Sequence, residues 1–126
     1  MHCRRGRPHL NQRRYLVPHR RGPRPGCGAI VALLEAASGK KAYPVGKPNP
    51  FMMRAARKRM GLATDEITMI GDIMETDIRG ATDLGFRSVL VLTGSTERAH
   101  LADFPYHPTS IVESIAELLP VAALTV

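Results

Sequence analysis

The segment of this sequence best suited to chemistry is Gly71-Asp72-Ile73-Met74-Glu75-Thr76-Asp77. Asp72 directly follows an apolar run, Ile67 to Ile70, and Asp77 stands at the start of a helix-forming stretch. Two carboxylates so placed make a hard oxygen site. Such a site suits Mg2+, which takes one or two carboxylates together with water and substrate phosphate. The same residues also fit a plainer pattern, with Asp72 capping a turn and Asp77 stabilising a helix N-terminus. Lys47 is the second element, in Gly46-Lys47-Pro48-Asn49-Pro50. Prolines on both sides of Asn49 fix the turn, so Lys47 leaves the chain in a defined direction. A rigidly placed ammonium neutralises a phosphate or a phosphoenzyme; taken alone, Lys47 also fits an ordinary surface lysine.

The elements that must position these groups alternate between strand and helix patterns. Ala29 to Ser38 reads as a helix with Ile30, Leu33, Leu34 and Ala37 on one face and Gly39 as its stop. Ala42 to Val45 reads as a strand. Asn49 caps a helix that has Pro50 in its first turn and runs to Met60, with Gly61 as its stop. Its expected apolar face is Phe51, Met52, Ala55 and Ala56, with Arg54, Arg57, Lys58 and Arg59 towards solvent. Ile67 to Ile70 is a strand, Thr76 to Leu84 a helix closed by Gly85, and Ser88 to Leu92 the most β-prone strand. A short helix over Glu97 to Ala102, an edge strand at Ile111 and Val112, and a helix from Ser114 to Leu119 complete the pattern. Alternation of this kind predicts an α/β fold with parallel strands and helices packed on them. Ligands of such sheets bind beyond the carboxyl ends of the strands, where helix N-termini favour phosphate. Lys47, Asp72 and the polar run Thr93 to Thr96 each follow a predicted strand.

Composition narrows the classes further. The formal net charge is +7, yet the eight arginines of residues 1–25 (Arg4, Arg5, Arg7, Arg13, Arg14, Arg20, Arg21, Arg24) face no acid there. Residues 26–126 net −1. The chain thus reads as a near-neutral domain carrying a cationic arm, and the arm's four prolines (Pro8, Pro18, Pro23, Pro25) predict disorder. No apolar run approaches the roughly 20 residues of a membrane span. Cys3 and Cys27 make neither a disulfide framework nor a zinc pattern, which fits a reducing, cytoplasmic compartment. Gly26-Cys27-Gly28-Ala29-Ile30-Val31-Ala32 matches a dinucleotide pattern but lacks a strand-like run before it, so it reads as a turn into a helix, with Cys27 buried. His100 and His107 read as solvated. The arm's arginines could bind nucleic acid non-specifically, with strong salt dependence. With six aromatics in the chain and only Tyr15 in the arm, no stacking platform supports that alternative.

Taken together, Gly-Lys-Pro-Asn-Pro, a helix, and a strand ending in Gly-Asp-x-Met-x-Thr-Asp-Ile resemble the haloacid dehalogenase-like (HAD) phosphohydrolases. The closest branch is the class IIA one of nitrophenyl, phosphoglycolate and nucleotide or sugar phosphatases, which carry a large α/β cap. The run Gly80 to Gly94 is similar to that branch as well, and the resemblance covers roughly residues 26–120. It implies the C-terminal half of a HAD-like core, a partial Rossmann-like parallel sheet with flanking helices, with residues 26–45 as the end of the cap returning to the core. It also implies a Mg2+-dependent phosphatase acting on a small phosphorylated metabolite. Lys47 matches the lysine that orients nucleophile and phosphate, Asp72 the Mg2+ ligand, and Asp77 the second acid, which supports the metal or Lys47. Asn49 stands near the site in a supporting or phosphate-binding role.

The family attacks phosphate with an aspartate of an Asp-x-Asp motif, the second aspartate being the general acid/base. Here the aspartates are Asp65, Asp72, Asp77, Asp83 and Asp103, and no Asp-x-Asp occurs. The expectation is therefore a truncated form with little activity alone, the arm marking a truncated or misread gene start. In the family the nucleophile strand lies beside the one that ends at Asp72. Its absence would leave Ile67 to Ile70 as an open edge, prone to self-association or complementation.

Overall fold

Leu16–Val17 (β1) and Arg24–Pro25 (β2) pair antiparallel, and the chain then turns at Gly26 into a helix, Cys27–Ser38 (α1). The computed structural model describes Leu16, Val17 and residues 24–119. Most of the arginine arm, and with it the expectation of disorder, lies outside the described residues. The helix predicted from Ala29 is present and starts two residues earlier. Gly39 ends it in the left-handed conformation at φ 67°, its N–H donating to the Glu35 carbonyl. Two expectations for this helix are corrected. Ile30, Leu33 and Leu34 stay exposed, and Cys27 is exposed rather than buried. The residues before the glycine-containing turn do form a strand, but it is two residues long and antiparallel, unlike the parallel strand a dinucleotide turn requires.

The chain divides into two compact units between Tyr43 and Pro44. The strand expected at Ala42 to Val45 is absent: these residues have no regular structure. Two local reasons account for this. The Ala42 N–H donates to the Glu35 carboxylate at 2.8 Å rather than to a neighbouring strand, and Pro44 has no N–H to give to a ladder.

The second unit is built on three parallel strands in the order β3-β4-β5: Thr68–Gly71 (β3), Arg87–Val91 (β4) and Ser110–Val112 (β5). All three strands were legible in the sequence to within one residue at either end. Parallel neighbours need a crossover. Between β3 and β4 this is a π-helical turn, Met74–Ile78, running into a short α-helix, Arg79–Leu84 (α3). Between β4 and β5 it is a 3₁₀ segment, Arg98–Asp103, where a short helix was expected. The single helix expected over Thr76 to Leu84 is therefore two pieces. Ser114 caps as expected, accepting from the Ala116 N–H. The turn it starts is 3₁₀ and stops at Leu118, because a residue before proline is pushed out of the helical region and Leu119 is extended.

Pro50–Met60 (α2) has the ends its sequence predicts. Asn49 Oδ1 accepts from the Phe51 N–H at 2.9 Å, and Gly61 closes the helix at φ 70°. Its inward face differs from expectation. Phe51 and Met52 are exposed, and Met53 is the buried residue, packed with Ile67, Ala81 and Phe86. Gly80 on α3 explains the choice, since a Cβ there would press on Met53 Sδ. A second core joins Met74, Ile78 and Leu90, flanked by Leu92, Leu101, Phe104 and Tyr106. Among the described residues β3 pairs with β4 alone, so β3 is an edge strand. No helix among them is long and apolar enough to cross a membrane.

Candidate active site

The site gathers where β3 and β4 end. Lys47 comes from the loop before α2, whose shape Asn49 maintains. The Asn49 amide nitrogen donates to the Pro44 carbonyl at 2.7 Å while its oxygen caps α2, so one side chain ties both ends of the loop. The Lys47–Pro48 peptide bond is cis. From this loop Lys47 Nζ reaches Asp77 Oδ1 at 2.6 Å.

Asp77 is almost wholly buried, at 2% exposure, whereas the Lys47 side chain is 41% exposed. A buried carboxylate needs a counter-charge and hydrogen bonds. Asp77 has both: Oδ1 faces the ammonium and has no other partner among the described residues, while Oδ2 accepts from the Ile73 N–H at 3.2 Å. The π-helical turn produces this geometry. The N–H groups of Asp77 and Ile78 both donate to the Ile73 carbonyl, at 2.9 and 3.3 Å, so the turn bulges before α3 begins. Gly71 gives the carboxylate its room, because a Cβ there would overlap the Asp77 side chain. Asp77 thus lies within a widened turn, not at the N-terminus of a regular helix.

Asp72 is half-buried at the end of β3. Its Oδ2 accepts from the Ser95 N–H at 2.8 Å, and its Oδ1 has no partner among the described residues. Gly94, in the loop after β4, packs so closely that a Cβ would collide with the Asp72 side chain. The same loop places buried Thr96 against the turn, its Oγ1 accepting from the Met74 N–H at 3.3 Å. The Tyr106 hydroxyl donates to the Met74 carbonyl, also at 3.3 Å. Burial, then the charge of Glu75, hold the Tyr106 phenol above its ordinary pKa, so it remains a donor through the neutral range.

The structure therefore joins Lys47 directly to Asp77 and sets Asp72 on the neighbouring loop. Asn49 it commits to shaping the Lys47 loop. Gly71 and Gly94 carry no role of their own in the sequence reading beyond membership of the Gly71–Asp77 motif and the polar run Thr93 to Thr96, and neither does Thr96, in the same run, or Tyr106. A glycine at each strand end was the one local signal available for the first two. As a cation site the arrangement is partial: among the described residues no group of three or more His, Cys, Asp or Glu converges. It does fit the protein's share of a Mg2+ site, since Asp72 keeps one carboxylate oxygen open and Mg2+ needs only one or two carboxylates from protein.

Comparison with known proteins agrees with this architecture. The chain is 40% identical over 101 residues to the dihydroxyacetone phosphatase of Corynebacterium glutamicum, covering 80% of this chain and 37% of that protein. It is 38% identical over 100 residues to the ribonucleotide monophosphatase NagD of Escherichia coli, covering 79% and 40%. Among solved structures, the glycerol phosphate phosphatase of Mycobacterium tuberculosis in complex with magnesium superposes with a TM-score of 0.69 at 33% identity, covering 82% of this chain and 32% of that one. The chain spans about two fifths of the length of the curated relatives it matches. Residues 44–118, most of the second unit, match the HAD-hydrolase-like family, and the chain belongs to that family.

Proposed function

We propose that this chain carries the phosphate-orienting and Mg2+-binding part of a phosphomonoester hydrolase acting on a small phosphorylated metabolite. The observation that carries the reading is the Lys47–Asp77 pair at the strand ends beside Asp72. Asp77 holds the Lys47 ammonium in place, and the exposed part of Lys47 is free to meet a phosphate oxygen. Asp72 would bind the metal through Oδ1, with Ser95 fixing its other oxygen. Bound Mg2+ would neutralise the phosphate oxygens and polarise the phosphoryl group. Asp77, with both oxygens engaged, supports Lys47 rather than binding the metal directly, and Asn49 serves the site by shaping the Lys47 loop. The magnesium complex and the phosphatase names among the relatives support the same class of chemistry.

The sequence holds no Asp-x-Asp pair, so the nucleophile and the general acid/base have to come from a segment beyond these residues. Open β3 is the place for such a segment, because a strand added there would end beside Asp72 and Lys47. The test is nitrophenyl phosphate hydrolysis with Mg2+, alongside Mg2+ titration by calorimetry. Asp72-dependent Mg2+ binding with little turnover by the 126-residue chain is expected. Mg2+ binding indifferent to Asp72→Ala would overturn the metal assignment. Robust turnover by the chain alone would overturn the need for an added nucleophile.

A further inference from the structure

Met74 is gripped by its backbone from two distant parts of the chain. Its N–H donates to Thr96 Oγ1, from the loop after β4, and its carbonyl accepts from the Tyr106 hydroxyl, from the segment leading to β5. Neither contact is local, the partners standing 22 and 32 positions apart in the sequence. Thr96 is 7% exposed and the Met74 side chain is fully buried with Ile78 and Leu90. Tyr106 stacks at a tilt on Phe104, with ring centroids 5.6 Å apart.

Met74 opens the π-helical turn that carries Asp77. In a regular helix the Ile78 N–H would bond to the Met74 carbonyl. Here it bonds to Ile73, and the Met74 carbonyl receives the Arg79 N–H together with the Tyr106 hydroxyl. The two long-range bonds therefore fall on the residue whose placement separates the bulged turn from a regular one. We infer that Thr96 and Tyr106 are positioning residues for the Lys47–Asp77 pair, holding Met74 so that the turn aims Asp77 at Lys47. The importance of that pair to phosphate chemistry rests on the function proposed above; the grip on the turn does not.

The experiment is amide hydrogen exchange by NMR on the full chain, with Thr96→Val, Thr96→Ser and Tyr106→Phe, alongside Mg2+ calorimetry. Thr96→Val and Tyr106→Phe are expected to speed exchange at the Ile73 and Asp77 amides by roughly tenfold, with Leu90 in β4 unchanged. Thr96→Ser keeps the hydroxyl and should stay within about twofold of the parent. Parent-like exchange at Ile73 and Asp77 in Thr96→Val, or equal acceleration at Leu90, would overturn the inference. A parent chain without Asp72-dependent Mg2+ binding would instead overturn the proposed function, and the exchange rates would still decide the role of Thr96 and Tyr106.

Discussion

Lys47 Nζ lies 2.6 Å from Asp77 Oδ1, and among the described residues that ammonium is the only counter-charge this nearly buried carboxylate has. The two partners are unequal. Lys47 can return to water, whereas Asp77 cannot, so removing one is not equivalent to removing the other.

Lys47→Met is expected to destabilise the second unit by about 2 kcal/mol, below the 3–5 kcal/mol of a fully buried pair because Lys47 is 41% exposed. Lys47→Met/Asp77→Leu should recover most of that loss, since no uncompensated charge remains inside. Urea denaturation of the two variants measures the difference; a double variant less stable than the single would contradict this account.

Gly94→Ala should weaken Mg2+ binding while leaving thermal stability nearly unchanged. The new Cβ must displace Asp72, but Gly94 itself lies in an exposed loop. An affinity loss of about tenfold is expected, as when a residue supporting a metal ligand is altered. Calorimetry and a melting curve on the same sample separate the two effects.

Along α2, Met53→Ala should cost about 2–5 kcal/mol, the range for a buried methionine, and Met52→Ala within about 0.5 kcal/mol. The contrast follows from Met53 being 8% exposed and Met52 46%. Equal costs would mean that the helix is rotated from the orientation described.

Tyr106 gives the protein a stability decline at high pH. Its phenol is raised above the ordinary value by burial and then by Glu75, so the folded state retains the proton longer than the unfolded chain. The stabilisation is complete below the unfolded-state pKa of about 10 and is lost as pH rises through the higher folded value. The stability advantage of the parent over Tyr106→Phe should be constant from pH 6 to about 9 and shrink above about 10. Chemical denaturation of both chains across that range measures it; an advantage that grows with pH would reverse the assigned sign.

How far the sequence could be read depended on the range over which each determinant acts. The ends of α2 were legible because Asn49, Pro50 and Gly61 act on their immediate neighbours. The strand at Ala42 to Val45 was misread because an apolar run is necessary for a strand but not sufficient. Its first N–H went to Glu35, in the last turn of α1, and Pro44 could not donate.

Residue types and spacing by themselves determined the parallel α/β pattern, the carboxylates Asp72 and Asp77, the lysine at 47 and the family they resemble. Tertiary structure decided which of these meet. It turned Met53 inward through the gap at Gly80, and it bulged the turn at Met74 under Thr96 and Tyr106. It also gave Asp77 to Lys47 while leaving one oxygen of Asp72 open. Caps and strand propensities act within a few residues, whereas a π-helical turn and a buried ion pair depend on partners brought together only when the sheet assembles.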